Sequence, residues 1–246
     1  MSLKLITIDF WNTMFDSSNG AKRNQFRLQK LAIAIESFDR KIEQSEFNKA
    51  MQASWEYFNE IWIKEMRTPR PKDTIAFFWH CLDLPFDKNI IEKVANEFAN
   101  STLEHPPAIL PGLKEALAKL SEKYKLAIVS DTGFTPGYAL RELLKTNDLI
   151  QYFEAFSFSD ETLVSKPHPK AFFTILEQLD IEAEEALHIG DIEQTDIAGA
   201  KGIGMKAIRY QGDPSAELSS RNTEKTIADF TADSWDETVL CIGKIG

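Results

Sequence analysis

The chain has 246 residues, 43% of them hydrophobic, and carries a formal net charge of −10. That suffices for one large core, or one core with a smaller companion, and the acidic balance without a dense Lys/Arg run excludes a nucleic-acid groove or an anionic membrane surface as partner. Cys81 and Cys241 lack metal-ligand spacing and no apolar run approaches the roughly 20 residues of a membrane span, so the expected setting is the reducing cytoplasm.

The first element is Leu5-Ile6-Thr7-Ile8, apolar and partly β-branched, which stops at Asp9. It reads as a buried parallel strand whose carboxyl end presents a carboxylate. Ser17-Ser18-Asn19-Gly20 is a turn-rich hinge. Helical patterning then runs to Pro106-Pro107. Leu28, Leu31, Ile35 and Phe38 recur at helical spacing, as do Phe47, Ala50, Met51, Trp55, Phe58 and Trp62, with Ser45 as the expected N-cap. Thr68-Pro69-Arg70-Pro71 breaks the pattern, Ile75, Phe78, Trp79 and Leu82 resume it, and Asp87 opens a helix through Ile91, Val94 and Phe98. These faces predict a small helical bundle with most of the aromatics in its core.

From Pro111-Gly112 the pattern alternates. Leu113, Leu117 and Leu120 mark a helix, and Leu126-Ala127-Ile128-Val129 a strand ending at Ser130. A helix near 136–144 and a short strand Phe156-Ser157-Phe158 follow. Pro169 starts a helix carrying Phe173, Leu176 and Leu179, and Ala186-Leu187-His188-Ile189 is a strand ending at Gly190-Asp191. A helix over 197–203, a strand over 206–209 and a helix over 235–242 complete the series, after the short run Ile227-Ala228-Asp229-Phe230. Alternation of this kind predicts an α/β fold with a parallel sheet and right-handed crossovers. The expected division is a core of 1–16 and 107–246 with a helical cap, 17–106, inserted after the first strand.

Asp9, Ser130, Lys166, Asp191 and Asp196 all fall at strand ends or in the loops beyond them, and in a parallel sheet these ends share one edge, where ligands bind. Asp9 and Asp191 can share a hard cation, and Mg²⁺ takes a few carboxylates together with waters and phosphate oxygens. Ser130 can donate to a phosphoryl oxygen, and Lys166 can offset charge on the nucleophile and the transferring group. Singly, each also fits a plain role: Asp9 capping a turn, Ser130 in a turn, Lys166 solvated. Their order along the chain carries the reading.

The motifs Asp9-Phe10-Trp11-Asn12-Thr13, Ser130, Ser165-Lys166-Pro167-His168-Pro169 and Gly190-Asp191-Ile192-Glu193-Gln194-Thr195-Asp196 resemble, in order, those of the haloacid-dehalogenase-like hydrolases. The resemblance covers roughly Leu3 to Ile242. It implies a Rossmann-like sheet with helices on both faces and an α-helical cap. It further implies that Asp9 attacks phosphorus to form an aspartyl-phosphate, that Ser130 binds phosphate with Asp131 beside it, and that Lys166 steadies the charge. Asp191 and Asp196 would hold Mg²⁺ directly or through water, together with Asp9 and the backbone carbonyl of Trp11.

One position departs. The family's phosphatases usually carry an aspartate two residues after the nucleophile, as general acid and base; here it is Trp11. An indole N–H cannot shuttle a proton at neutral pH, and losing a general acid lowers a rate by about 10²–10⁴-fold. The expectation is therefore a Mg²⁺-dependent phosphatase of a small phosphorylated metabolite, weak on alkyl monoesters. Two alternatives stay open. The family's 2-haloacid dehalogenases have an aromatic residue at this place and need no metal, but they usually lack the acid corresponding to Asp191 and have Asn where Asp131 stands. They also use a cap arginine, for which Arg23, Arg27 and Arg40 are available. The other alternative is a degraded site that only binds phosphate or a protein. The resemblance places specificity in the cap, where Arg23, Arg27, Tyr57 and Lys64 are the candidates, each fitting a solvated or packing role better than a substrate contact, and the Trp55–Trp62 stretch fits a monomer or a homodimer.

Overall fold

Strand β1 (Leu5–Ile8) is buried along its whole length because it lies between β2 (Lys125–Ser130) and β4 (Ala186–Gly190), parallel to both. A strand with neighbours on each edge and helices over each face meets no water, hence its unbroken apolar run. The computed structural model describes residues 2–38, 40–216 and 225–245; Met1 and Gly246, the ends of the expected core range, lie outside the described residues. With β3 (Ala155–Phe158), β5 (Lys206–Tyr210) and β6 (Phe230–Ala232), these strands form a parallel six-stranded sheet in the order β3-β2-β1-β4-β5-β6. The fold is a Rossmann-like α/β core.

Register places the chemistry. Ile8 pairs with Ile128 on one side and Ile189 on the other, so Asp9 leaves the sheet level with Val129 and Gly190. Its N–H still donates to Ile189 O at 2.8 Å. Helices α5 (Leu113–Ser121), α6 (Gly137–Thr146) and the last helix, α10 (Trp235–Ile242), pack Leu117, Leu140, Leu144 and Trp235 on one face. Helices α8 (Pro169–Leu179) and α9 (Ala198–Gly202) pack Phe172, Ile175 and Ala200 on the other, after the short α7 (Ser159–Thr162).

Between β1 and α5 run α1 (Gly20–Ile35), α2 (Gln44–Glu65), α3 (Pro71–Cys81) and α4 (Lys88–Glu104), with a separate core of Leu31, Ile35, Ile75, Phe78, Trp79 and Phe98. Pro71 opens α3, where its missing N–H has no helical partner to lose, and Asp87 caps α4 by accepting from Asn89 and Ile90 N–H at 2.9 and 3.1 Å.

Several details correct the expectations. Helix α2 starts at Gln44, not after Ser45: the Glu43 backbone is extended, and its carbonyl takes the Glu46 and Phe47 N–H groups, leaving Ser45 inside the first turn. Leu28 is 39% exposed, because α1 meets the bundle through Leu31 and Ile35, and Phe38 lies beyond the end of that helix. The expected helix over 197–203 is shorter, Ala198–Gly202, and a π-helical turn, Glu193–Ile197, precedes it. No described helix is long and apolar enough to cross a membrane.

Candidate active site

Asp9, Asp191 and Asp196 arrive from two strand ends and the π turn, all buried, each offering an oxygen within 4.8 Å of the others. Lys166, in the loop before α8, reaches under them. Its Nζ donates to Asp9 Oδ1 and, at 2.6 Å, to Asp196 Oδ1. Asp196 is further held by Ile192 N–H at 3.0 Å, Thr195 Oγ1 at 3.4 Å and His188 Nε2 at 3.0 Å. A carboxylate only accepts, so His188 carries its proton on Nε2 and takes the Thr7 hydroxyl at Nδ1, 2.8 Å away. The π turn widens the chain just where Asp196 folds back on Gly190. A Cβ at Gly190 would overlap the Asp196 carboxyl, so this strand end needs glycine for space.

Burial works to raise all three carboxyls, and their surroundings separate them. Burial pushes Asp9 up, Lys166 draws it down and Asp196 adds to the rise, leaving it at about 7 against an ordinary 3.8. Burial, then repulsion from Asp196 and Asp9, holds Asp191 well above the carboxylate range. For Asp196 the Lys166 ammonium and His188 outweigh burial and bring it well below that range. Burial opposes the Lys166 charge, but Asp196, Asp9 and Asp131 overcome it and keep the ammonium firmly protonated. Three carboxyls share one ammonium, so positive charge is short at the site, and burial with mutual repulsion raises Asp9 and Asp191.

The turn after Asp9 is tight. Asn12 is left-handed at φ 55°, and Met14 and Phe15 N–H both return to Phe10 O at 3.1 Å. Asparagine tolerates that region because its short amide bonds locally. Its Nδ2 donates to Asp191 Oδ2 at 3.4 Å, and its Oδ1 accepts from Ser17 Oγ at 2.6 Å. Trp235 Nε1 pins the turn through Thr13 O at 3.0 Å.

Above the acids is a cavity of about 290 Å³. Asp9, Lys166, Asp191 and Asp196 form its floor, Trp11 and Asn12 one side, the loop from Asp131 to Thr135 another. Arg23 and Arg27 of α1, and Phe58 and Trp62 of α2, close it from the helices. Trp11 stands in the wall, half-buried, edge-on to Phe10 at 5.3 Å, and leaves the floor open. Asp131 clasps the two parts: its Oδ1 accepts from Lys166 N–H at 3.0 Å and its Oδ2 from Trp62 Nε1 at 2.9 Å. Thr68 and Ser159 add a second tie, Oγ1 to Oγ at 2.5 Å.

Of the residues singled out from the sequence, the structure brings Asp9, Trp11, Asp131, Lys166, Asp191 and Asp196 to this cavity. Ser130 sits at the same strand end but is 2% exposed, its hydroxyl 3.5 Å from the Asp131 carbonyl, outside the cavity wall. Arg23 and Arg27 are in the wall rather than solvated. Arg40 instead bonds Glu46 and the Leu82 carbonyl, Tyr57 stacks on Phe77 at 4.4 Å, and Lys64 pairs with Glu60 in solvent. Trp62, expected in the bundle core, turns its indole N–H to the site.

The family described as haloacid dehalogenase-like hydrolase matches residues 39–210. The chain belongs to that family and is a hydrolase. It is 28% identical over 219 residues to the glyceraldehyde 3-phosphate phosphatase of Pyrococcus furiosus, covering 88% of this chain and 84% of that protein. It is 32% identical over 190 residues to the ribulose-1,5-bisphosphate 5-phosphatase of Halopiger xanaduensis, covering 77% and 69%. Against the glyceraldehyde 3-phosphate phosphatase of Pyrococcus abyssi, 32% identical, the match spans about half of either protein, 53% of each. Among solved structures, a 2-haloacid dehalogenase from Pseudomonas syringae pv. Tomato DC3000 superposes with a TM-score of 0.72 at 18% identity, over 99% of this chain and 100% of that one. The HAD-hydrolase YfnB of Bacillus subtilis, bound to magnesium, gives 0.63 at 16%, over 98% and 99%. At those identities the structures speak for the fold alone.

Proposed function

We propose that the chain is a Mg²⁺-dependent phosphatase of small phosphorylated metabolites, with 17–106 as a cap over a core of 1–16 and 107–246, working in the cytoplasm. The supporting observation is the Lys166 ammonium shared by Asp9 and Asp196 beside Asp191, at the bottom of a cavity of metabolite size. The donor set fits the ion: hard oxygens, buried, carrying more negative charge than Lys166 neutralises. Asp196 already accepts from four donors, so it stands behind, while Asp9, Asp191 and the Trp11 carbonyl would hold the ion directly. When bound, it supplies positive charge against the phosphoryl oxygens.

The protein's own part begins with Lys166, which fixes the Asp9 carboxylate. The free Asp9 oxygen attacks phosphorus in line, forming the Oδ–P bond as the bond to the leaving oxygen breaks. Water then cleaves the aspartyl-phosphate, releasing inorganic phosphate and restoring the carboxylate. Lys166 offsets charge throughout, and Ser130, at the same strand end, is the proposed donor to a phosphoryl oxygen. Trp11 can give the leaving oxygen no proton, so aryl and acyl phosphates should turn over faster than alkyl esters.

A leaving-group series with Mg²⁺ tests this. Turnover should rise steeply with leaving-group acidity, and Asp9→Asn should abolish it. Equal rates on alkyl and aryl phosphates would refute the argument from Trp11; no turnover of either aryl or acyl phosphates would refute the phosphatase. Trp11 also favours a second reading, dehalogenation through an Asp9 ester, which halide release from 2-haloacids in EDTA would establish. Asp191 weighs against it, since three metal-free carboxylates in one pocket repel.

A further inference from the structure

The wall facing the acids is basic, and among the described residues its charges have no adjacent counter-ion. Arg23 and Arg27 lie one turn apart on α1, both in the cavity wall. Arg23 is 6% exposed, and among the described residues its hydrogen bond to the protein runs from Nη1 to His105 O at 3.3 Å. Arg27 donates through Nε to Ser101 Oγ at 2.8 Å and through Nη1 to Asn24 Oδ1 at 3.3 Å. Among the described residues no carboxylate lies within ion-pair distance of either. Asp16 acts on Arg23 only beyond ion-pair distance and already accepts from Ala108 N–H at 2.9 Å.

Buried arginine normally pairs with an acid, because an uncompensated buried charge is costly. Here aromatic faces take the acid's place. The Arg23 guanidinium lies 5.5 Å from the Trp11 ring centroid, and that of Arg27 lies 5.8 and 5.2 Å from those of Phe98 and Phe134. Such cation–π contacts offset part of the charge without using up the guanidinium N–H donors. Burial, and the charge of Arg23, draw Arg27 down to about 10, so it stays charged at neutral pH. Trp11 thereby gains a use: in place of a proton shuttle the chain has an aromatic face against Arg23 in the cavity wall.

We propose that Arg23 and Arg27 form an anion subsite that selects phosphomonoesters carrying a second anionic group, a carboxylate or a further phosphate, at the end remote from the transferred phosphoryl. This rests on the phosphatase reading and names its substrate class. A cavity of about 290 Å³ lets one small molecule span floor and wall at once.

The test uses the full chain at saturating Mg²⁺, with p-nitrophenyl phosphate as reporter and three matched competitors: propyl phosphate, 3-phosphonooxypropanoate and propane-1,3-diyl bisphosphate. A charge-assisted hydrogen-bonded pair predicts that the doubly anionic competitors inhibit about tenfold or more tightly than propyl phosphate. Whichever of the two binds tighter identifies the anion. Arg27→Gln should cut the ratio to less than about threefold, and Arg27→Lys should keep part of it, as a point charge without the fork. Near-equal inhibition by all three in the wild type, or a ratio undiminished in both Arg23→Gln and Arg27→Gln, would overturn the subsite. The wild-type ratio needs no variant to fold. Reporter turnover with flat ratios sinks the subsite alone; absent turnover sinks the phosphatase reading, and thermal-shift titration of the wild type with the same three compounds then decides the subsite by the same ratio.

Discussion

Trp11→Asp should restore a missing step. The introduced carboxylate would stand at the cavity wall, two residues after the nucleophile, able to protonate a departing alkoxide. General acid catalysis contributes about 10²–10⁴-fold, or about 3–5 kcal/mol of barrier. The gain should fall near the lower end, because Arg23, 5.5 Å from the present ring, would pair with the new carboxylate, lower its pKa and leave little of it protonated to act as the acid. The substitution also has a structural cost. It removes the stack under Arg23, about 0.5–2 kcal/mol, and the edge contact with Phe10, about 0.5–1.5 kcal/mol. At about 2–4 °C per kcal/mol, Tm should fall by several degrees without loss of the fold. The assay is kcat on propyl phosphate against p-nitrophenyl phosphate at 25 °C, since a good leaving group needs little protonation. The alkyl-to-aryl ratio should rise about 10²-fold in Trp11→Asp. Trp11→Phe keeps a ring beneath Arg23 and adds no acid, so its ratio should stay at the wild-type value. A folded Trp11→Asp with an unchanged ratio, or a gain in Trp11→Phe, would refute the reasoning.

The acid cluster makes Mg²⁺ binding pH-dependent. Asp9 holds its proton up to about 7 in the folded chain, against an ordinary 3.8. Its contribution to stability is therefore present at low pH and lost as pH rises from about 4 to about 7. Mg²⁺ displaces that proton, so the rise in Tm on adding Mg²⁺ should grow between pH 5 and 8; a pH-independent rise would count against direct ligation. Gly190→Ala drives a methyl into the Asp196 carboxyl, and should cost about 1–3 kcal/mol while removing most of the Mg²⁺-induced shift, read by thermal melts with and without the ion. Asp87→Ala removes the two N-cap bonds of α4, far from the acids, and should cost about 1 kcal/mol, or about 2–4 °C in Tm, with unchanged kcat.

What was legible in the sequence was what local pattern determines. Leu5–Ile8 reads as a buried strand because both its faces are covered, and the register then carries Asp9, Ser130 and Asp191 to one edge. The order of helices between β1 and α5 was equally plain from apolar spacing. Arg23 and Arg27 were legible only as candidates, among others and with the solvated reading ahead. A helix face carrying arginine at i and i+4 looks solvated until Trp11, Phe98 and Phe134, remote in sequence, are brought against it. Trp62 misled for a related reason, since its ring fits the bundle pattern while its N–H answers to Asp131. The π turn at Glu193–Ile197 left no periodic signal; the need to return Asp196 to Lys166 sets it, and that need exists only in three dimensions.

The helices and the acids are linked by more than contact. The Asp131 carboxylate, pushed up by burial, is satisfied by one donor from each side, Trp62 Nε1 and Lys166 N–H. Moving α2 away strips the first donor from a buried carboxylate, a cost of about 1–3 kcal/mol. The second donor is the backbone N–H of the residue whose ammonium holds Asp9 and Asp196, so the position of the helices and the electrostatics of the nucleophile meet at one residue. Solvent reaching Asp131 as the helices part would supply the lost bond and repay much of that cost. The clasp is therefore strongest when the cavity is dry, the condition in which Lys166 and the two arginines act on an anion with least screening.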